Sequence, residues 1–101
     1  MASATADTAI AEVRRIVLER LSGRDAKVIF FGSRAMGAAG VASDIDVAVL
    51  PRQPLPTGLL SRIREALEES RVPYRVDVVD LSSVDAVFRK RVLETGVVWA
   101  A

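Results

Sequence analysis

The chain has 101 residues, 50% of them hydrophobic and 27% charged, and 14 basic side chains against 13 acidic ones give a formal charge of +1. That length suits one domain, residues 1–101, expected to bury roughly two-thirds of the surface its unfolded form exposes, with no room in these residues expected for a second, substrate-binding domain. Neither Cys nor His occurs, which excludes disulfides, thiolate nucleophiles, Cys/His zinc sites and imidazole bases, and the near-neutral charge leaves no footprint for bulk nucleic acid.

In chain order, Met1 to Asp7 lacks the basic region and apolar core of a secretory signal, so a cytoplasmic location is expected. Ile10, Val13, Val17 and Leu21 recur at helical spacing with Glu12, Arg15 and Glu19 on another face. This predicts an amphipathic helix over about 6–22, capped by Thr5 or Asp7 and ended by Gly23. Lys27 to Phe31 is β-branched and aromatic and stops at Gly32, a strand. Residues 33–43 are small, a loop with room for one helical turn.

Asp44 to Leu50 is a second strand ended by Pro51, followed by a proline-rich turn to Pro56. Leu60, Ile63 and Leu67 set a second helix over about 57–70, and Pro73 breaks it. Tyr74 to Leu81 is a third strand. Ser82 with Asp85 resembles a capping box opening a third helix over about 83–95, closed by Gly96, and Val97 to Trp99 can add a last strand. No apolar run approaches the roughly 20 residues of a membrane span. The short connection between the first two strands implies antiparallel pairing, and the helix between the second and third permits parallel pairing. The class is α/β or α+β, a mixed sheet of about four strands packed with three helices.

The chemistry concentrates in Gly32-Ser33, ten further residues, Asp44-Ile45-Asp46, and Asp77 on a separate strand. Alternation along a strand puts Asp44 and Asp46 on one face about 7 Å apart. Asp77 sits in Arg-Val-Asp-Val-Val, a strand expected to bury its side chains, where a carboxylate must be paired with an arginine such as Arg75, protonated or bound to metal. Three carboxylates with no base among the first two repel one another without a cation, and an all-oxygen donor set suits Mg²⁺. Gly32 and Ser33 directly follow a strand and lack bulk, so backbone N–H groups and the Ser33 hydroxyl can approach phosphate oxygens. Such parts describe a nucleoside triphosphate site in which Asp44 and Asp46 would bridge two metal ions that stabilise the attacking and leaving oxygens.

Phe31-Gly32-Ser33-Arg34-Ala35-Met36-Gly37, with Ser43-Asp44-Ile45-Asp46-Val47-Ala48-Val49, resembles the signature of the polymerase-β-like nucleotidyltransferase superfamily, specifically its minimal (MNT) group. The resemblance implies the nucleotidyltransferase fold and transfer of a nucleoside monophosphate, most often AMP from ATP, with release of pyrophosphate. It implies that Gly32, Ser33 and Arg34 bind the triphosphate, that Asp44, Asp46 and Asp77 hold Mg²⁺, and that Asp77 accepts the acceptor's proton. It further implies an antitoxin that AMPylates and neutralises a separate helical HEPN-type ribonuclease toxin. Met36 departs from the pattern where a second arginine is common, so triphosphate binding rests more heavily on Arg34.

Blander readings stand beside these. Gly32-Ser33 alone is an ordinary strand-ending turn, Arg34 a solvated loop residue, and Arg89-Lys90-Arg91 a solvated helix face. Asp80 is expected to end the third strand, Tyr74 to pack at its start and Trp99 to pack near the last strand. Three rival functions remain: a binding module that masks its partner without catalysis, a transferase core serving a small-molecule acceptor through a separate helical subunit, and a small homo- or hetero-oligomeric scaffold with no nucleotide site, its acids neutralised by arginine.

Overall fold

The computed structural model describes residues 2–38, 40 and 43–101, with side chains described from Ala6 onward. Strands β1 (Ala26–Phe31), β2 (Ile45–Pro51), β3 (Val76–Asp80) and β4 (Val97–Ala100) form one mixed sheet in the order β3-β2-β1-β4. β1 and β2 pair antiparallel from Ala26↔Pro51 to Phe31↔Asp46, as the short connection requires. β2 and β3 pair parallel from Ile45↔Val76 to Val49↔Asp80, with the intervening helix carrying the chain back along the sheet. β4 pairs antiparallel with β1, with a register shift between Val28 and Ile29.

The helices are α1 (Ala2–Arg20), α2 (Leu59–Glu68) and α3 (Ala86–Thr95), with one 3₁₀ turn at Leu81–Ser83. α1 begins upstream of Thr5 and Asp7 and ends before Gly23, so neither expected cap residue lies at its start. Asp44 stands just ahead of β2, which runs through Pro51; the proline is tolerated as the last strand residue because it gives up a hydrogen bond only at the end of the ladder.

The expected capping box at Ser82 and Asp85 divides into two caps. The Asp80 carboxylate accepts from Ser82 N at 2.9 Å and caps the 3₁₀ turn, and the Asp85 carboxylate accepts from Phe88 N at 2.9 Å and caps α3. Two short side-chain caps suit this sequence because Leu81 is fully buried and a continuous helix from residue 83 would leave no turn to reverse the chain over it.

Strand alternation sorts the core into two layers. On one face Val28, Phe30, Ile45, Val47, Val49 and Val78 pack under α1, through Val13, Ile16, Val17 and Leu21, and under α2, through Ile63 and Leu67. On the other face Ile29 and Ala48 pack with Leu81 and Val92, flanked by Phe31, Val79 and Phe88. Each fully buried aliphatic side chain contributes about 1.5–3 kcal/mol relative to exposure. Trp99 stacks on Phe30 with ring centroids 5.1 Å apart.

Arg64 on α2 donates from Nε and an η nitrogen to the Val78 carbonyl, at 3.2 and 2.8 Å, and so occupies an acceptor on the outer edge of β3. Among the described residues no helix is long and apolar enough to cross a membrane.

Candidate active site

The C-terminal end of β1 and the N-terminal ends of β2 and β3 meet at one end of the sheet, because β1 runs opposite to the other two. The motif residues gather there. Phe31, Asp46 and Asp77 occupy successive strands in one register row, Asp46 pairing with Phe31 on one side and with Asp77 on the other. The next row inward is Ile29, Ala48 and Val79, covered by Leu81, Val92 and Phe88. The carboxylates therefore begin where the small hydrophobic layer under α3 ends, and the Phe31–Phe88 edge-to-face pair, with centroids 5.9 Å apart, marks the boundary.

Asp46 is half-buried. Burial first, then the neighbouring Asp77 and Asp44 carboxylates, push its pKa above the ordinary carboxylate value. Asp46 thus senses both of the other acids, as a carboxylate near like charges must. Asp77 itself is exposed, which corrects the expectation of a buried acid on a buried strand. β3 is an edge strand on which only Val78 is buried, so the Asp77 side chain reaches solvent. The desolvated acid is Asp46.

Gly32 follows β1 with φ +83°, a left-handed conformation that glycine adopts without steric penalty. A Cβ at this position would overlap Asp46 Oδ2 and lie 3.1 Å from its Cγ. The expected helical turn is present: Met36 N donates to Gly32 O at 3.2 Å and Ala38 N donates to Ser33 O at 2.9 Å. Ser33 is exposed on this turn. Of the 33–43 loop, residues 39, 41 and 42 lie outside the described residues.

Arg34 is half-buried rather than a solvated loop residue. Its Nε donates to Ser43 O at 2.8 Å, and its guanidinium carbon lies 4.3 Å from the centroid of the Tyr74 ring. Tyr74 was expected only to pack at a strand start, and no local pattern signals its role, because the contact spans forty residues of chain. Arg89 also departs from expectation: it donates to Leu81 O at 2.8 Å and to Val84 O at 3.2 Å, tying the 3₁₀ turn to α3. Lys90 and Arg91 alone keep the exposed helix face.

Asp44, Asp46 and Asp77 offer oxygen donors suited to a hard divalent cation. Among the described residues no three such side chains are gathered into one coordination sphere. The all-oxygen donor chemistry is of the kind that suits Mg²⁺. A separate open groove between α1 and the α2–β3 connection, about 960 Å³ and lined by Ile16, Ala66, Val72 and Pro73, belongs to the opposite, α1 face of the sheet.

A four-stranded mixed sheet with three helices, a glycine turn ending β1 and aspartates at the adjoining ends of β2 and β3 make this a nucleotidyltransferase-fold domain. Residues 23–99 match the family described as polymerase beta nucleotidyltransferases, and the chain belongs to that family. It is 38% identical over 74 residues to the probable protein adenylyltransferase MntA of Haemophilus influenzae, a match that covers 73% of this chain and 65% of that relative. Its fold is similar to a chain in the crystal structure of a toxin-antitoxin with AMP-PNP, with TM-score 0.68, 26% identity, and 87% of this chain and 73% of that one covered. It is also similar in fold to a chain in the structure of a tri-AMPylated Shewanella oneidensis HEPN toxin in complex with MNT antitoxin, with TM-score 0.66, 22% identity, and 94% and 71% coverage.

Proposed function

We propose that the chain is a Mg²⁺-dependent nucleotidyltransferase that moves AMP from ATP to a hydroxyl of a protein partner and acts as the antitoxin of a HEPN-type ribonuclease toxin. The reading is carried by the register pair of Asp46 and Asp77 with the Gly32 turn pressed against Asp46. Family membership and the similarity to a relative named as an adenylyltransferase support the reaction type. The toxin-antitoxin neighbours support the partner class.

In the proposed reaction the acceptor hydroxyl oxygen bonds to the α-phosphorus of ATP, the bond from that phosphorus to the bridging oxygen breaks, and pyrophosphate leaves with the electron pair. Asp77, exposed at the sheet edge, is where an incoming acceptor can reach a carboxylate, and it takes the hydroxyl proton. Ser33 and the backbone N–H groups of the turn after β1 bind the phosphates, and Arg34 adds positive charge beside them. Asp44, Asp46 and Asp77 would hold Mg²⁺, which when bound would neutralise the charge that develops on the phosphate oxygens.

The test is incubation with ATP, Mg²⁺ and the product of the neighbouring reading frame, followed by intact-mass spectrometry. A gain of one AMP per modified hydroxyl, lost in Asp44→Ala and Asp46→Ala, supports the reading. A partner bound tightly and left unmodified by the unmutated chain overturns catalysis in favour of masking, and AMP transferred to a small molecule instead overturns the protein acceptor.

A further inference from the structure

The three segments that carry the proposed site are far apart in the chain, and one side chain touches all of them. Arg34 belongs to the turn after Gly32-Ser33. Its Nε holds the carbonyl of Ser43, the residue before Asp44, and its guanidinium lies on the ring of Tyr74, three residues before Asp77. A backbone bond reinforces the same junction: Ile45 N, between Asp44 and Asp46, donates to the carbonyl of Arg75, next to Tyr74, at 2.9 Å. Tyr74 is half-buried and packs against the core layer under α1 and α2, so its ring is a fixed surface rather than a mobile one. The guanidinium over the ring face is a cation–π contact.

We propose that Tyr74 is a positioning residue whose ring orients Arg34, and that the Tyr74–Arg34–Ser43 contact holds the Gly32-Ser33 turn at a set distance from Asp44, Asp46 and Asp77. This rests on the nucleotidyl-transfer reading for its consequence and on geometry alone for its existence. A bound triphosphate must meet the turn and the carboxylates together, so an error in their spacing weakens nucleotide binding even though Tyr74 touches no reacting atom. The aromatic face, not the hydroxyl, is the operative part, which makes phenylalanine a faithful replacement and leucine a failing one.

The test compares the full-length chain with Tyr74→Phe and Tyr74→Leu. Amide exchange of Met36 and Ala38, whose N–H groups close the turn, is read by NMR without nucleotide, and the dissociation constant for Mg²⁺-AMP-PNP is read by calorimetry. Tyr74→Leu is expected to lose about tenfold in amide protection and about tenfold in affinity, the range of a lost cation–π contact. Tyr74→Phe is expected to match the unmutated chain in both, a rescue that loss of a merely space-filling residue would not require. Unaltered exchange in Tyr74→Leu overturns the strap. Altered exchange with unaltered affinity overturns its role in positioning. If the unmutated chain does not bind Mg²⁺-AMP-PNP, the functional reading fails, and the strap is decided by exchange alone. Should Tyr74→Leu not fold, Arg34→Lys, which keeps the charge and removes the Nε donor to Ser43 O, is read by amide exchange, and unaltered exchange overturns the strap.

Discussion

The carboxylate of Asp46 fills the space that a side chain on residue 32 would need: a Cβ there overlaps its Oδ2. The glycine ending β1 is therefore fixed by two demands at once, its positive φ and the acid packed against it.

These two demands separate experimentally. Gly32→Ala is expected to cost more than about 1–2 kcal/mol, the penalty of a left-handed alanine, because it must also displace Asp46, and AMP transfer falls with it. Gly37→Ala meets the same backbone demand, at φ +72°, with nothing within 4 Å of the new Cβ. It is expected to show the backbone penalty and retain transfer. Thermal melts paired with a transfer assay check this, and equal activity losses in both variants would show that Asp46 packing is not what Gly32 protects.

Asp46→Asn is expected to melt higher than the unmutated chain at neutral pH while transferring no AMP. The folded state raises the pKa of Asp46 through burial and its acidic neighbours, so the folded chain holds that proton more tightly than the unfolded one. Stability then falls as pH rises through the window between the ordinary carboxylate pKa and the raised value. The advantage of asparagine is smallest at acid pH and grows through that window. Melting curves from about pH 3 to 7 measure it, and a less stable Asn variant at pH 7 would contradict the electrostatic account.

Mg²⁺ is expected to reverse that order. A ligand bound only by the folded state raises its stability by mass action, so millimolar MgCl₂ raises the melting temperature of the unmutated chain and leaves Asp46→Asn unmoved. Calorimetry of the two proteins with Mg²⁺ alone is the direct check; no heat in either case counts against a carboxylate-held ion.

Asp77→Asn separates chemistry from folding. Asp77 is exposed on an edge strand, so its replacement is expected to change stability by no more than about 0.5 kcal/mol. Transfer is expected to fall by on the order of 10²-fold or more, the scale of losing one group that acts on developing charge. Urea unfolding and initial transfer rates give the two numbers; a variant as active as the unmutated chain removes Asp77 from the proton-accepting role.

Arg64→Ala is expected to cost about 1 kcal/mol, since it removes the two donors held on the Val78 carbonyl. It also bares the β3 edge beside Asp77. Urea denaturation reads the first effect and light scattering the second.

The elements were legible in the residues because each follows from a local cause. Valine and isoleucine runs ended by Gly32 and Pro51 make strands, Ile63 and Leu67 at helical spacing make α2, and the small residues between β1 and β2 supply no crossover helix for parallel pairing. The caps were misplaced because Asp80 and Asp85 both suit a cap and only the burial of Leu81 separates them. The glycine turn and the paired aspartates were also legible, since their meaning lies in residue type and spacing.

What the chain order could not decide is which acid is desolvated and what holds the turn. Asp46 and Asp77 look alike in sequence, each flanked by apolar residues. The sheet order puts Asp46 on an inner strand and Asp77 on an edge, and so gives one a raised pKa and the other an open approach. Arg34 and Tyr74 are forty residues apart and become neighbours only because β3 lies parallel beside β2. Composition and spacing thus determined which groups this protein has for chemistry. Strand pairing, which brings distant residues together and sets their exposure to water, decided what each of them does.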